Sequence, residues 1–401
     1  MNILFLTIAW PKHGYNLYSD LMEEFVENGH NVYVAAANEK KNNSKTYLSE
    51  FNGINVLNIR CGNITKVKKV EKAVGLITLD YIFKRTIEVY WGELDFDLII
   101  MSTPPVNLLG TYKALKKKYN AKTYLLLKDI WPQGPADLGA FKVNGIIYKY
   151  FKKKEKKLYD ESDFIGCMSE KNIDYLLKHN TNVASEKVEV NPNSIKPRYV
   201  EQSFEERINI RKKYGVPINK IVFVYGGNLG EPQGVEFLEE CIRSNETRDN
   251  TFFLIVGSGT KFIRLKKFLD DEKPRNALIY ESLPKDDYEA LCKSCDIGLI
   301  YLSKRCTIPH FPSRLLSYMQ NGMPVLVAAG EFTDVGDIVQ NNGFGYSCDW
   351  GDIKSFDRMV DMITSNSKLI KEMGSNAKKY LEAHYTVKGS YKKIFERVEL
   401  R

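Results

Sequence analysis

Ile221-Val222-Phe223-Val224-Tyr225-Gly226-Gly227-Asn228-Leu229-Gly230 decides the fold: a short run of β-branched and aromatic residues breaks abruptly into glycines. Ile221–Tyr225 suits a buried strand, the Gly226–Gly234 stretch a loop, and Val235–Ser244, with apolar residues at helical spacing, a helix. The unit then repeats: strand Phe252–Val256, turn Gly257-Ser258-Gly259, helix Lys261–Asp270. Further on come Leu278–Tyr280, the helix Lys285–Ser294, the strand Ile297–Tyr301, the helix Ser313–Asn321 and the strand Pro324–Val327. Alternating strands and helices predict a parallel sheet with helices on both faces.

Working outward, the first half repeats the theme. Ile3–Ile8 is an apolar run, Leu17–Asn28 is helical in period, Gly29-His30 ends that helix, and Val32–Ala36 is apolar again. Leu98–Met101, Thr123–Leu127 and Phe164–Met168 follow as further strands. Asn191-Pro192-Asn193-Ser194-Ile195-Lys196-Pro197 is rich in turn formers and lacks periodicity, so the linker is placed there. At 401 residues the chain exceeds what one core organises, and two domains are expected. The boundaries read as 1–195, 196–375 and a C-terminal helix, 376–401, packing back toward the first domain. Ligands of doubly wound sheets bind beyond the carboxyl ends of the strands, so two such sheets facing each other would make one cleft.

Composition is that of a globular protein, 43% hydrophobic and 27% charged. The opening MNILFLTIAW lacks a basic n-region and a cleavage site, which argues against a signal peptide and for a cytoplasmic chain. Ala73–Trp91 is apolar but carries Asp80, Lys84, Arg85 and Glu88, which excludes a spanning helix. Seven scattered cysteines read as reduced thiols, and Cys292/Cys295 as two helix cysteines without special chemistry. The net charge of +8 is concentrated in residues 1–200, at +7, with lysine clusters at Lys66–Lys72, Lys116–Lys118 and Lys149–Lys157. Two readings stand for these: a solvated helix face, or attraction to anionic lipid at the cytoplasmic membrane. No nucleic-acid motif accompanies them.

Four loops carry candidate chemistry. Gly227, Asn228, Leu229 and Gly230, with Gln233, lie where small residues let backbone amides approach a phosphate, although tight strand-to-helix geometry alone also demands glycine. Ile308-Pro309-His310-Phe311-Pro312-Ser313-Arg314 leads into the helix holding Ser317; Ser313 is placed as N-cap. Arg314 puts a cation at a helix start, a conflict that a bound diphosphate would resolve. In the first domain, His13 and Gly14 follow the first strand, and Lys128 and Asp129, beside Trp131, end the fourth; a bland exposed loop position for His13 and a helix-cap role for Asp129 compete with catalytic ones, and His30 reads as turn structure. Asp95-Phe96-Asp97 spells a metal-diphosphate motif but precedes a strand, and no metal site is expected.

With these motifs in order, the second half resembles glycosyltransferase family 4, retaining enzymes of the GT-B fold. The tract Ile221–Gly234, FFLIVGSG, SCDIGLIYL and NGMPVLV carry the likeness. Ser102-Thr103-Pro104-Pro105, Lys128-Asp129-Ile130-Trp131-Pro132 and Asp137-Leu138-Gly139 are similar to the branch transferring N-acetylated deoxyamino sugars such as N-acetylfucosamine in O-antigen and capsule assembly, including capsular transferases of Gram-positive cocci.

The resemblance implies an α/β GT-B architecture, two Rossmann-like doubly wound domains facing across a cleft. It also implies a UDP-sugar donor in the second domain, an undecaprenyl-diphosphate-linked saccharide acceptor in the first, peripheral membrane association, and no cofactor. His13, Lys128, Asp129 and Arg314 are then the catalytic candidates. Gly14, Gly227, Asn228, Leu229, Gly230, Gln233, Tyr280, His310, Phe311, Pro312, Ser313, Arg314 and Ser317 are those for donor binding. Two family glutamates are replaced by Pro309 and Ser317, and the family's Arg and Lys of the first glycine loop by Asn228 and Gln233. Arg314, with Lys304 or Arg305, is expected to compensate. A UDP-sugar 2-epimerase of the same fold and an inactive nucleotide-sugar binder are the rival readings.

Overall fold

In the computed structural model, which describes residues 1–11, 14–65 and 67–399, every run read above as a strand is one, and the apolar stretch Ala73–Trp91 lies in a helix. The first sheet holds β1 (Asn2–Thr7), β2 (Asn31–Glu39), β3 (Tyr47–Phe51), β4 (Ile54–Cys61), β5 (Leu98–Thr103), β6 (Lys122–Leu127), β7 (Phe164–Cys167) and β8 (Val188–Val190). Their order is β3-β4-β2-β1-β5-β6-β7-β8, with only β3 antiparallel to its neighbour. The second sheet holds β9 (Ile221–Gly226), β10 (Thr251–Val256), β11 (Ala277–Tyr280), β12 (Ile297–Tyr301), β13 (Val325–Ala329) and β14 (Gly345–Asp349). It is parallel throughout, in the order β11-β10-β9-β12-β13-β14. Counted from its own first strand this is 3-2-1-4-5-6, the nucleotide-binding order, which reverses between β9 and β12.

The antiparallel β3–β4 hairpin was not anticipated. Asn52 and Gly53 join the two strands with φ of 49° and 78°, the left-handed pair that a two-residue hairpin turn requires.

The chain divides into two compact units, Met1–Lys196 with Tyr385–Arg401, and Pro197–His384. In the first, one face of the sheet packs on Leu79, Phe83, Tyr112, Leu158 and Leu176, the other on Met22, Phe25, Val387 and Ile394. In the second, Phe223, Tyr225, Phe237, Phe253, Tyr301 and Phe356 form the centre of the core.

The return of the chain to the first unit begins at Tyr385, not at 376 as the sequence suggested. Helix Ser367–His384 stays with the second unit because two glycines let it lie against the turn after helix Arg314–Gln320: a Cβ at Gly374 would stand 2.0 Å from the Gly322 carbonyl oxygen. Helix Val387–Glu399 then docks on the first unit. Tyr391 Oη lies 3.0 Å from His30 Nε2, and Ser390 Oγ donates to Asn191 Oδ1 at 2.7 Å.

Candidate functional site

The loops after β9 and β12 flank the point where the second sheet reverses its order, the crevice in which such sheets take ligands. Arg314, from the second of these loops, reaches back over the first. Its guanidinium carbon sits 4.1 Å from the centre of the Tyr225 ring, and its Nη2 is 3.5 Å from the Asn228 carbonyl oxygen. Gly227 has a φ of +114°, the left-handed region that glycine adopts readily, and a Cβ there would make an ordinary 3.5 Å contact with that Nη2.

Three tyrosines that the sequence reading did not single out hold this arrangement. Tyr225 Oη donates to the Asn228 carbonyl at 2.7 Å, fixing the glycine loop while its ring carries the guanidinium. Tyr318 Oη accepts from Gly226 N at 3.1 Å and lies 3.1 Å from the Val224 carbonyl, tying helix Arg314–Gln320 to the sheet. Tyr288 occupies the space beside Gly226, where a Cβ would meet its hydroxyl at 1.8 Å. Burial raises the hydroxyl pKa of all three, so they stay neutral and supply no counter-charge. The signal was available: an aromatic at the last strand position before a glycine pair, and another four residues into the arginine's own helix.

The guanidinium is therefore seated on the Tyr225 ring and beside one carbonyl. Among the described residues no carboxylate pairs with Arg314, and its Nη1 is buried without a hydrogen-bond partner. Burying a charge in this way is costly unless an anion completes it.

Several expected contacts are redirected. Gly227 N donates to Val256 O (2.8 Å), Leu229 N to Ser258 O (2.8 Å) and Gly230 N to Gln233 Oε1 (3.0 Å), so these amides hold the loop instead of pointing at a ligand. Leu229 is fully buried in the core and offers no side-chain contact, whereas Gly227 and Asn228 are exposed. Gln233 closes the loop on itself, 3.3 Å from Asn228 Nδ2. Ser313 stands before the helix with helical φ and ψ of −63° and −18°, and its side chain makes no cap bond. The helix is only seven residues long, so the anion seat rests on the Arg314 side chain and not on a helix pole. Ser317 lies close enough to the buried Cys292 thiol to lower its pKa, against the larger rise from burial.

Tyr280, at the carboxyl end of β11, donates its hydroxyl to the Tyr214 carbonyl at 2.9 Å. In the loop before Arg314, the His310 carbonyl accepts from Thr333 Oγ1 at 2.7 Å, and Phe311 and Pro312 are partly buried beside it. Of the two proposed compensating cations, Arg305 is held by Glu231 at 3.1 Å, within a network that also ties Lys261 to Glu231 at 2.6 Å. Lys304 is exposed and leans over Trp350, 5.9 Å from the ring centre.

In the first unit, His13 lies outside the described residues, and Gly14 is exposed with φ of 68°. Lys128 and Asp129 part company. Lys128 Nζ donates to the Asn191 carbonyl at 3.1 Å, and burial pushes its pKa down to about 7. Asp129 is exposed, and its charge lies close enough to the buried Tyr18 hydroxyl to help raise that group's pKa, a lesser contribution than burial itself. Trp131 is wedged between Phe141 and Phe151, at 5.9 and 5.5 Å. Asp97 of the DxD triplet accepts from Asn2 N at 2.7 Å, a structural bond. Among the described residues no group of three His, Cys, Asp or Glu side chains is placed to hold a metal.

An unpaired arginine at the switch point of a six-stranded parallel sheet defines a site for an anionic, nucleotide-like ligand. Residues 206–380, nearly the whole second unit, match the family described as "Glycosyl transferases group 1", and the chain is a glycosyltransferase of the GT-B fold class. It is 22% identical over 292 residues to the probable glycosyltransferase WbjE of Pseudomonas aeruginosa, covering 72% of this chain and 71% of that one. Over 132 residues it is 29% identical to the putative colanic acid biosynthesis glycosyl transferase WcaI of Escherichia coli K12, covering 33% and 32%. Among solved structures it is similar to Anabaena HepE in complex with UDP, with a TM-score of 0.72 and 14% identity over the full length of both chains.

Proposed function

We propose that this glycosyltransferase moves a sugar from a UDP-linked donor, held by the second unit, to a lipid diphosphate-linked saccharide presented on the first, in the assembly of a bacterial surface polysaccharide. The observation that carries the donor assignment is the buried Arg314 Nη1 with no partner, lying across the exposed Gly227–Asn228 turn. A diphosphate entering there meets a guanidinium preorganised by Tyr225. HepE binds UDP, and WcaI's name places it in colanic acid synthesis; both support the reading by analogy.

In the proposed step the bond from the sugar's anomeric carbon to the diphosphate oxygen breaks as the acceptor oxygen bonds the same carbon. The acceptor proton passes to the departing diphosphate, whose new charge Arg314 meets. Attack from the leaving-group face gives retention, and N-acetylfucosamine is the sugar that the first-half motifs favour. The lysine-rich first unit is drawn to the anionic membrane surface where such an acceptor resides.

The test is turnover of purified protein with UDP-N-acetylfucosamine, with and without a lipid diphosphate-linked acceptor. Acceptor-dependent UDP release with a new glycoside supports the proposal. Isomerised donor without acceptor would show an epimerase instead, and donor binding without turnover an inactive binder.

A further inference from the structure

Glu231 stands on the single turn of helix Glu231–Gln233, in the same loop as the exposed Gly227–Asn228 turn over which Arg314 lies. The loop doubles back, so that Gln233 Oε1 is 3.3 Å from Asn228 Nδ2 and the two turns adjoin. Each oxygen of the Glu231 carboxylate holds a cation from a neighbouring loop. Oε1 takes Lys261 Nζ at 2.6 Å, from the loop after β10, and Oε2 takes Arg305 Nη2 at 3.1 Å, from the loop after β12. The bond from Lys261, with a smaller share from Arg305, holds the carboxyl below the usual carboxylate range, so Glu231 is charged at neutral pH.

These ion pairs are not what fastens the three loops. Lys261 N donates to the Leu229 carbonyl at 2.9 Å and Ser303 N to the Pro232 carbonyl at 2.8 Å, so the backbone joins them without any side chain. Nor are the two pairs alike. Lys261 is 20% exposed and has a second carboxylate, Glu236, at 3.6 Å. Arg305 is 51% exposed and stands 3.9 Å from Glu236, which Arg264 already engages at 3.1 Å; its Nε bonds Ser303 Oγ within its own loop at 3.4 Å. An ion pair this open contributes about 1 kcal/mol or less, and a more highly charged anion displaces it readily. Arg314 is the contrast, with Nη1 buried and its guanidinium seated on the Tyr225 ring.

We infer that Glu231 is a resident counter-ion for Arg305, exchanged for the donor's diphosphate. When the nucleotide settles on Arg314, Arg305 turns from Glu231 to the phosphate oxygens; as UDP leaves, Glu231 recovers it. The planar guanidinium fork suits this exchange because it pairs with carboxylate and phosphate alike. Lys261 stays on Glu231 throughout, so the carboxylate is still neutralised while Arg305 is away and does not repel the ligand. Glu231 is thus a positioning residue that acts through Arg305 and limits how tightly the site holds the diphosphate. The inference deepens the proposed function and rests on its UDP-linked donor.

The test is isothermal titration of the full chain with UDP, on wild type, Glu231→Gln, Arg305→Ala and the double variant, with the melting temperature of each. Glu231→Gln keeps the size of the side chain and removes the competing charge, so it should bind UDP about three- to tenfold more tightly than wild type. A loosened loop would not produce such a gain. Arg305→Ala should weaken binding by about threefold or more, and in that background Glu231→Gln should change affinity by less than about twofold. Equal or weaker binding by Glu231→Gln at an unchanged melting temperature overturns the inference. So does a gain that survives intact beside Arg305→Ala. If Glu231→Gln melts early, Arg305→Ala decides: a several-fold loss of affinity upholds the exchange, and affinity equal to wild type overturns it. A wild type that does not bind UDP ends the donor reading together with this one, whereas the other failures leave the donor reading standing on Arg314.

Discussion

A single cation seated on a tyrosine ring is the feature on which the chemistry turns. Arg314 was legible as a conflict, a positive charge at a helix start, but the sequence placed a helix cap at Ser313 beside it that the structure does not show. Ser313 makes no cap bond; the Tyr225 ring carries the guanidinium, Tyr318 ties its helix to the sheet, and Tyr288 packs beside Gly226. Those tyrosines escaped notice because in a one-dimensional reading they are indistinguishable from core. Lys128 illustrates the opposite outcome: picked as catalytic, it is turned to the Asn191 carbonyl, and burial lowers its pKa from 10.5 to about 7. Between those values the unfolded chain binds a proton that the folded chain does not, so this residue's contribution to stability rises with pH from about 7 to 10.5 and is lost as pH falls through that window. Lys128→Met should therefore raise the melting temperature most near pH 7, with the difference from wild type narrowing toward pH 10.5. A difference independent of pH would contradict the burial argument.

The strands and their alternation with helices follow from runs of β-branched and aromatic residues, and the loops at their carboxyl ends could be located in advance. What could not be read was where the loop amides point, because that depends on the neighbouring strand. Gly227 and Leu229 donate to Val256 and Ser258, across to the loop after β10. The packing of these two loops also explains a glycine: a Cβ at Gly257 would stand 2.0 Å from the Gly227 carbonyl oxygen. Gly257→Ala must displace backbone, at a cost of about 1–3 kcal/mol, and since the displaced loop carries Arg314's neighbours it should weaken UDP binding as well as lower the melting temperature. Gly389→Ala, where the nearest atom is an ordinary 3.6 Å away in helix Val387–Glu399, should be neutral or stabilising. Calorimetric melting with and without UDP distinguishes the pair. The β3–β4 hairpin was missed although its Asn52-Gly53 pair is a strong local turn signal; flanking residues with little alternation concealed it.

For the whole molecule, the linker position was legible from its prolines and turn formers, whereas the end of the second unit was not. Periodicity continues through Ser367–His384 and into Val387–Glu399, and only the buried partners of each helix separate them. Because Val387 and Ile394 complete a face of the first core, deletion of residues 385–401 should lower the melting transition of the first unit while UDP still protects the second. Simultaneous loss of both transitions would contradict that division. The central claim is that the second unit grips a nucleotide diphosphate through one uncompensated arginine. Isothermal titration of the full chain with UDP tests it most directly. Wild type should bind, Arg314→Lys should bind more weakly, and Arg314→Ala should lose roughly 10- to 150-fold in affinity, as expected for a charged hydrogen bond of about 1.5–3 kcal/mol. Equal UDP affinity in wild type and Arg314→Ala would contradict the account.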